Sequence, residues 1–284
     1  MDVIETSEQL TSRITRLKKK GSTIGFVPTM GSLHLGHLSL IEEAHKKSDV
    51  VVVSIFVNPT QFNSSDDLKS YPRDLEKDIK LLETTDCELL FVPSVKEIYP
   101  EEDHRIFDFG QIDKVMEGRF RPGHFNGVAQ VVSRLFQIVK PDKAFFGLKD
   151  FQQIAVIREM VKQLELGVDI AACPIVRESD GLAMSSRNLL LQPEKRKKAP
   201  IIARSLFESC IFAKNHSVEE TRNFVIDAIN GDKSFEVEYF DIVDGETLQP
   251  VKNWKESICI VGCIAVFAGE VRLIDNVIYK NSES

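Results

Sequence analysis

Residues 25–37, Gly-Phe-Val-Pro-Thr-Met-Gly-Ser-Leu-His-Leu-Gly-His, constrain this chain more than any other stretch. Ile24, Phe26 and Val27 predict a strand and residues 28–32 a turn; from Gly36 the pattern becomes helical, with Leu38, Ile41 and Ala44 on one side. A strand that enters a helix through such a loop delivers His34 and His37 to the helix start. Unpaired N–H groups and a partial positive charge suit that end to phosphate, and nearby glycines allow close backbone approach. A single histidine beside a helix start is commonly a cap. His-x-Gly-His after a strand and a Pro-Thr-Met-Gly turn is far more specific.

The same alternation continues. Residues 7–20 predict a helix capped by Ser7 and stopped by Gly21, and residues 50–57 a β-branched strand covered on both faces. Helical spacing returns over 74–84 and through Val128, Val131, Val132, Leu135, Phe136 and Val139, with strands at 89–92, 144–146 and 170–176. This order predicts an α/β fold, a doubly wound parallel sheet of Rossmann type whose strand ends gather the ligand loops. Beyond Asn188 the pattern changes to helices over 193–214 and 217–230, then strands over 235–243, 257–267 and 271–278. The predicted domains are residues 1–176 and a smaller α+β domain of residues 177–284.

Composition narrows the classes of function. A net charge of −7 over 284 residues argues against a protein that embraces nucleic acid, so an anion site must be locally basic. The runs Lys18-Lys19-Lys20 and Lys195-Arg196-Lys197-Lys198 read as solvated helix faces or ends. Five cysteines, without a Cys-x-x-Cys pair, read as free thiols. The first residues are acidic and lack a signal-like apolar run, and residues 258–268 fit a buried strand better than a membrane span, so the expected location is the cytoplasm.

Three further stretches carry candidate chemistry. The Met184-Ser185-Ser186-Arg187-Asn188 stretch offers adjacent hydroxyls and an arginine, donors suited to a polyphosphate whose charge shifts during reaction. Lys149 can hold a phosphate and Asp150 can accept from ribose hydroxyls. Gln61 and Gln153, at predicted loop positions, can each hold a hydroxyl and a carboxylate together. The histidine motif resembles the nucleotide-binding signature of the class I aminoacyl-tRNA synthetase and nucleotidylyltransferase superfamily. The Met-Ser-Ser-Arg stretch resembles that superfamily's mobile lysine-methionine-serine loop.

Taken with Asn58-Pro-Thr-Gln-Phe62, Tyr71-Pro-Arg73, Arg121-Pro-Gly-His-Phe-x-Gly127, Gly147-x-Lys-Asp-x-Gln-Gln153 and Asp180-Gly-Leu-Ala-Met-Ser-Ser-Arg-Asn188, these motifs resemble the pantoate–β-alanine ligase family over nearly the whole chain. The resemblance implies ATP-dependent joining of pantoate to β-alanine through pantoyl adenylate, with AMP and pyrophosphate released. It assigns catalysis to His34, His37, Lys149, Ser185, Ser186 and Arg187. Its ATP site comprises Met30, Gly31, Ser32, Leu33, His34, Leu35, Gly36, His37, Gly147, Leu148, Lys149, Asp150, Val176, Met184, Ser185, Ser186 and Arg187. Its substrate pocket comprises Gln61, Gln153, Asn58, Tyr71, Arg121, His124 and Asn126. Asp78 is its candidate for supporting Mg²⁺ indirectly, and a homodimer is its expected assembly. Gln130 departs from the threonine common in the family and bears on local packing or assembly. The rival readings are a nucleotidylyltransferase that leaves AMP on its product and a non-catalytic ATP-binding regulator. A tRNA synthetase is disfavoured by the absence of an obvious anticodon-binding module.

Overall fold

The computed structural model describes residues 1–62, 68–69 and 71–281. The chain forms two compact units. The first takes Met1–Phe109, Arg121–Leu148 and Gln153–Pro174; the second takes Gly110–Phe120, Lys149–Gln152 and Ile175–Ser284. Residues 110–120, 149–152 and 175–176, all before residue 177, thus join the second unit.

In the first unit six strands, β1 Asp2–Ile4, β2 Ile24–Thr29, β3 Val50–Ile55, β4 Leu89–Phe91, β5 Lys143–Gly147 and β6 Asp169–Cys173, form a parallel sheet in the order β1-β4-β3-β2-β5-β6. The strand order reverses at β2, which lies between β3 and β5. The carboxyl ends of these three strands are where an open parallel sheet places its ligand crevice.

The longer described helices of this unit are α1 Ser7–Lys19, α2 Leu35–Lys47, α3 Leu75–Leu82, α4 His124–Val139 and α5 Phe151–Gln163, the last with its first two residues in the second unit. On one face, Val27, Val51, Val53, Leu90 and Phe145 pack with Leu40, Ile41 and Ala44 of α2 and Leu82 of α3. On the other, Phe26 meets Phe136 of α4 edge-on at 6.2 Å, and Phe136 meets Phe146 at 6.5 Å. Burial from both sides explains why β3 reads as an uninterrupted valine run.

Local differences from the sequence reading have local causes. Thr6, not Ser7, caps α1, because its extended backbone lets Oγ1 accept from the Gln9 amide at 3.4 Å. Strand β2 continues through Pro28 to Thr29, in register with Ser54 and Ile55, instead of turning at Pro28. Helix α4 begins at His124, after Gly123 in the left-handed region, so His124 and Asn126 stand on a helix.

One face of α4 pins an extended strap. Asn126, Gln130 and Arg134 recur at helical spacing. The Asn126 amide donates to the Arg105 carbonyl at 3.1 Å and accepts from the Phe107 N–H at 2.9 Å. Gln130 Nε2 donates to the carbonyls of Asp103 and Arg105, each at 2.8 Å. Arg134 Nε donates to Asp103 Oδ2 at 3.1 Å and Arg105 Nε to Asp103 Oδ1 at 2.8 Å, around a carboxylate only 2% exposed. Gln130 therefore holds the strap through two hydrogen bonds.

The second unit is a three-stranded antiparallel sheet, β7 Glu236–Asp244, β8 Ile260–Ala268 and β9 Val271–Lys280, with helices α6 Ile201–Phe212 and α7 Val218–Asn230. Phe240, Ile242, Ile264 and Leu273 share its core with Leu206, Val225 and Ile229. The helix expected over 193–214 is two, Pro193–Lys198 and α6. Pro200, which has no N–H to donate, stands at the break. The second basic run lies on the first of these helices, with Lys198 paired to Asp232 at 3.0 Å and Arg196 to Asp180 at 2.6 Å. The first run closes α1, where Lys18 pairs with Asp142 at 2.9 Å. Cys87, Cys173 and Cys263 are buried, Cys210 and Cys259 half-buried, and all five are free. No described helix is long and apolar enough to cross a membrane.

Asp103 supplies a pH test of the strap. The Arg105 guanidinium, reinforced by Arg134, holds its carboxyl well below the usual carboxylate range. A depressed folded pKa contributes stability that is full above the unfolded value of about 3.9 and is lost as pH falls through the folded value. Asp103→Asn should therefore cost about 2 kcal/mol at neutral pH, lowering the melting temperature by roughly 4–8 °C. The gap between variant and parent in thermal scans should narrow below about pH 4.

Candidate active site

The loop leaving β2 is built as a tight turn. Gly31 (φ 78°) and Ser32 (φ 51°) both occupy the left-handed region, and Leu33 drops into the core beneath α2. A Cβ on Gly31 would stand 2.9 Å from Asp78 Oδ2. That carboxylate accepts from the Ser32 N–H at 2.8 Å through Oδ2 and from the Leu33 N–H at 2.7 Å through Oδ1. Burial pushes the Asp78 carboxyl up, and the amides of Leu33 and Ser32 pull it back. Asp78, on α3, thus acts as a latch on the loop. Both its oxygens accept from loop amides.

The latch delivers His34 to the N-cap of α2. His34 Nδ1 accepts from the Gly36 N–H at 3.2 Å, and His37 Nδ1 accepts from the His34 N–H at 3.3 Å. The two histidines form a capping box, with ring centroids 4.1 Å apart. Accepting at Nδ1 requires a neutral ring protonated at Nε2, because an imidazolium would carry a proton where the backbone N–H must point. The pair therefore presents two Nε2–H donors at the positive end of a helix. Leu35 is exposed; Ser32, Gly36 and Met30 are half-buried.

A second cluster follows β3. The turn Pro59–Gln61 is capped by Asn58, and Gln61 is 9% exposed. Asn58 Nδ2 donates to Gln61 Oε1 at 3.3 Å and to the Gly127 carbonyl at 3.1 Å, while Gln61 Nε2 points at Met30 Sδ, 2.9 Å away. His124 Nδ1 donates to the Gln61 carbonyl at 2.8 Å and its Nε2 faces Arg121 Nη1 at 3.3 Å. His124 is thus the opposite tautomer to His34 and His37. Gly127 allows α4 to press against the turn, since a Cβ there would lie 2.6 Å from the Thr60 carbonyl oxygen and 2.9 Å from Gln61 Cα. The structure therefore brings Gln61, Asn58, Arg121, His124 and Met30 into one network. Tyr71, buried, stands edge-on to Phe62 at 5.8 Å, and Asn126 is committed to the strap. Gln153 is half-buried in the first turn of α5. Gly147 and Leu148 close β5 beside the reversal point.

The remaining expected nucleotide residues belong to the second unit. Lys149 and Asp150 form a 3.6 Å ion pair. Val176 and Met184 face each other in a hairpin, the Met184 N–H donating to the Val176 carbonyl at 3.0 Å, with Arg177 bridged to Ala183 and Gly181 (φ 94°) at the tip. Ser185 caps the short turn Ser186–Leu190, accepting from the Arg187 N–H at 3.3 Å; Ser186 is buried and Arg187 half-buried. Sequence reasoning gave no role to Gln152, although the Gly147–Gln153 motif contains it; 4% exposed, it accepts from the Glu117 N–H at 2.9 Å and donates to the carbonyls of Ile112 and Val115. Sequence reasoning also missed Tyr99, whose hydroxyl donates to Asn58 Oδ1 at 3.0 Å. Neither stands in a periodic pattern that would have revealed it.

A parallel sheet whose reversal point feeds a His-x-Gly-His helix start defines a nucleotide-binding α/β enzyme of the superfamily that carries this histidine signature. Residues 2–278 match the family model described as pantoate-beta-alanine ligase. A pantothenate synthetase of Phocaeicola vulgatus is 57% identical over 99% of this chain and 100% of its own, and one of Acetivibrio thermocellus is 47% identical over the same shares. The crystal structure of pantothenate synthetase from Thermus thermophilus superposes with a TM-score of 0.92 at 43% identity, covering 99% of this chain and 100% of that one. The pantoate-beta-alanine ligase of Francisella tularensis, complexed with beta-gamma ATP and beta-alanine, superposes with a TM-score of 0.82 at 38% identity over 98% of each chain. The chain belongs to the pantoate–β-alanine ligase family, and it is an ATP-using ligase that joins carbon to nitrogen.

Gly127→Ala tests the close approach that frames Gln61. The added methyl must displace backbone, at a cost of about 2 kcal/mol. The variant should melt several degrees lower and lose at least about tenfold in kcat/KM for the acid substrate, read by thermal scanning and steady-state kinetics.

Proposed function

We propose that this chain binds ATP with the Nε2–H donors of His34 and His37 and the start of α2, and uses it to condense pantoate with β-alanine. The observation that carries the reading is the reciprocal histidine cap at the sheet's reversal point, which supports a phosphate at this helix start. In the first step the pantoate carboxylate attacks the α-phosphorus, forming pantoyl adenylate as the bond to pyrophosphate breaks. The nucleophile is already ionised and needs no general base. In the second step the neutral amine of β-alanine attacks the acyl carbon, AMP departs, and the amine loses its proton.

The chain's part is to hold and orient. In the first unit His34, His37 and the amides of residues 30–37, with Gly147 and Leu148, take the nucleotide. Gln61, with Asn58, Tyr71, Arg121 and His124 around it and Gln153 from α5, takes the acid. In the second unit Lys149, Ser185, Ser186 and Arg187 stabilise charge that spreads over the phosphates, and Asp150, Val176 and Met184 receive the nucleoside. Asn126, whose amide holds the strap, supports this pocket from α4.

Mg²⁺ would accompany the triphosphate and neutralise part of its charge. The residues offer no dedicated cage: no group of three or more His, Cys, Asp or Glu among the described residues could hold a metal ion, and Asp78 holds loop amides. The ion is accordingly assigned to phosphate and water oxygens, with Asp78 acting through the loop. A homodimer working in the cytoplasm completes the reading.

The test follows pyrophosphate release with ATP, Mg²⁺ and a panel of hydroxy acids, with and without β-alanine. Pantoate-dependent pyrophosphate without the amine, and full turnover only with it, is the expected result; turnover indifferent to β-alanine would identify a nucleotidylyltransferase instead. In the same assay His37→Ala should lower kcat at least about a hundredfold while changing pantoate KM little. An unchanged rate would remove His37 from the chemistry.

A further inference from the structure

Strand β9 carries two buried polar residues in succession, Asp275 (4% exposed) and Asn276 (5%), that the mechanism does not use. Burying a carboxylate and an amide is costly unless both are engaged. Asn276 Nδ2 donates to the carbonyl of Lys149 at 3.1 Å. Asp275 accepts both arms of Arg177, Nη1 at 2.7 Å on Oδ2 and Nη2 at 3.0 Å on Oδ1, and its Oδ1 also accepts the Asn276 N–H at 2.8 Å. Arg177 Nη1 reaches on to the Gly181 carbonyl at 3.1 Å, and the guanidinium lies over the Phe207 ring at 4.7 Å. Arg177 is the rung of the hairpin that sets Val176 opposite Met184.

We propose that Asp275 and Asn276 are a positioning pair for ATP: Asn276 fixes the main chain from which Lys149 extends, and Asp275, through Arg177, fixes the hairpin that presents Val176 and Met184. Neither residue touches the nucleotide. A lysine is a point charge on a four-carbon stem, and anchoring its backbone removes part of the freedom it would otherwise lose on binding. The bidentate Asp275–Arg177 geometry gives the hairpin a defined seat, which a single hydrogen bond would not. The inference rests on the proposed reading of Lys149 as a phosphate ligand.

The experiment is a double-mutant cycle on the full chain, with Asn276→Ala, Lys149→Ala and the pair together, reading KM for ATP, KM for pantoate, kcat and melting temperature. Asn276→Ala should raise KM for ATP about tenfold, leave KM for pantoate within about twofold, and add nothing once Lys149 is gone. Asn276→Asp, which keeps the shape and removes the donor, should reproduce the ATP effect and serves if Asn276→Ala does not fold. Asp275→Asn should raise KM for ATP even in the Lys149→Ala background, because it acts on the other loop. An unchanged KM for ATP in folded Asn276 variants, with Lys149→Ala impaired, would overturn the positioning role alone, as would effects of Asn276 and Lys149 that simply multiply. An unimpaired Lys149→Ala enzyme would instead overturn the ligand reading, and the assignment of Asn276 with it.

Discussion

The reciprocal cap between His34 and His37 is the interaction that sets the start of α2, on which the proposed site rests. A helix start leaves backbone N–H groups that need acceptors, and here two of the acceptors near that end are imidazole Nδ1 atoms. In the proposed reading, capping and phosphate binding are thereby one problem. The proton of each neutral ring is left on Nε2, away from the cap, so the same hydrogen bonds that finish the helix select the tautomer able to donate. A serine or aspartate cap would complete the helix equally well but would not place an imidazole donor there.

Such a cap is only as accurate as the loop that carries it, and three constraints converge on that loop. Gly31 permits a backbone conformation with positive φ, Leu33 is held by the hydrophobic core, and Asp78 grips the amides of Ser32 and Leu33. Asp78 comes from a helix, 45 residues beyond Leu33, so the loop is fixed by tertiary structure as well as by its own sequence. The turn after β3 shows the same logic: Asn58 ties Gln61 to Gly127, and the missing Cβ at Gly127 lets α4 approach. Donors fixed in this way are arranged during folding, before any substrate arrives, and need little reorganisation when charge develops.

What was legible in the sequence was what repeats. The valine run of β3 and the spacing of apolar residues on α4 predicted their elements, because burial on two faces or on one helical stripe leaves a periodic trace. Strand β1 was not visible, since three residues joined to β4 are too few for any period. The site was legible as a set of residue types at fixed spacing, but the job of each side chain was not. Asp78, expected to support the metal indirectly, grips loop amides, and Asn126, expected near the pocket, grips the strap; neither contact could be read from the sequence. In both cases the deciding partner is a backbone amide or carbonyl distant in sequence, and a main-chain group carries no residue identity for a sequence reading to detect.

The division of donor types between the two units has a physical rationale. In the first, the proposed phosphate donors are neutral imidazoles and backbone amides on a rigid helix start, and their strength depends on direction. In the second they are Lys149 and Arg187 with the hydroxyls of Ser185 and Ser186, where the two cations attract over distance as well as direction. Neutral donors fixed by hydrogen bonds can distinguish where a phosphate oxygen lies but add no net charge, whereas cations attract any anion. The anchoring of Lys149 through Asn276 fits that division, because a cation on an unanchored segment would bind anions without registering them.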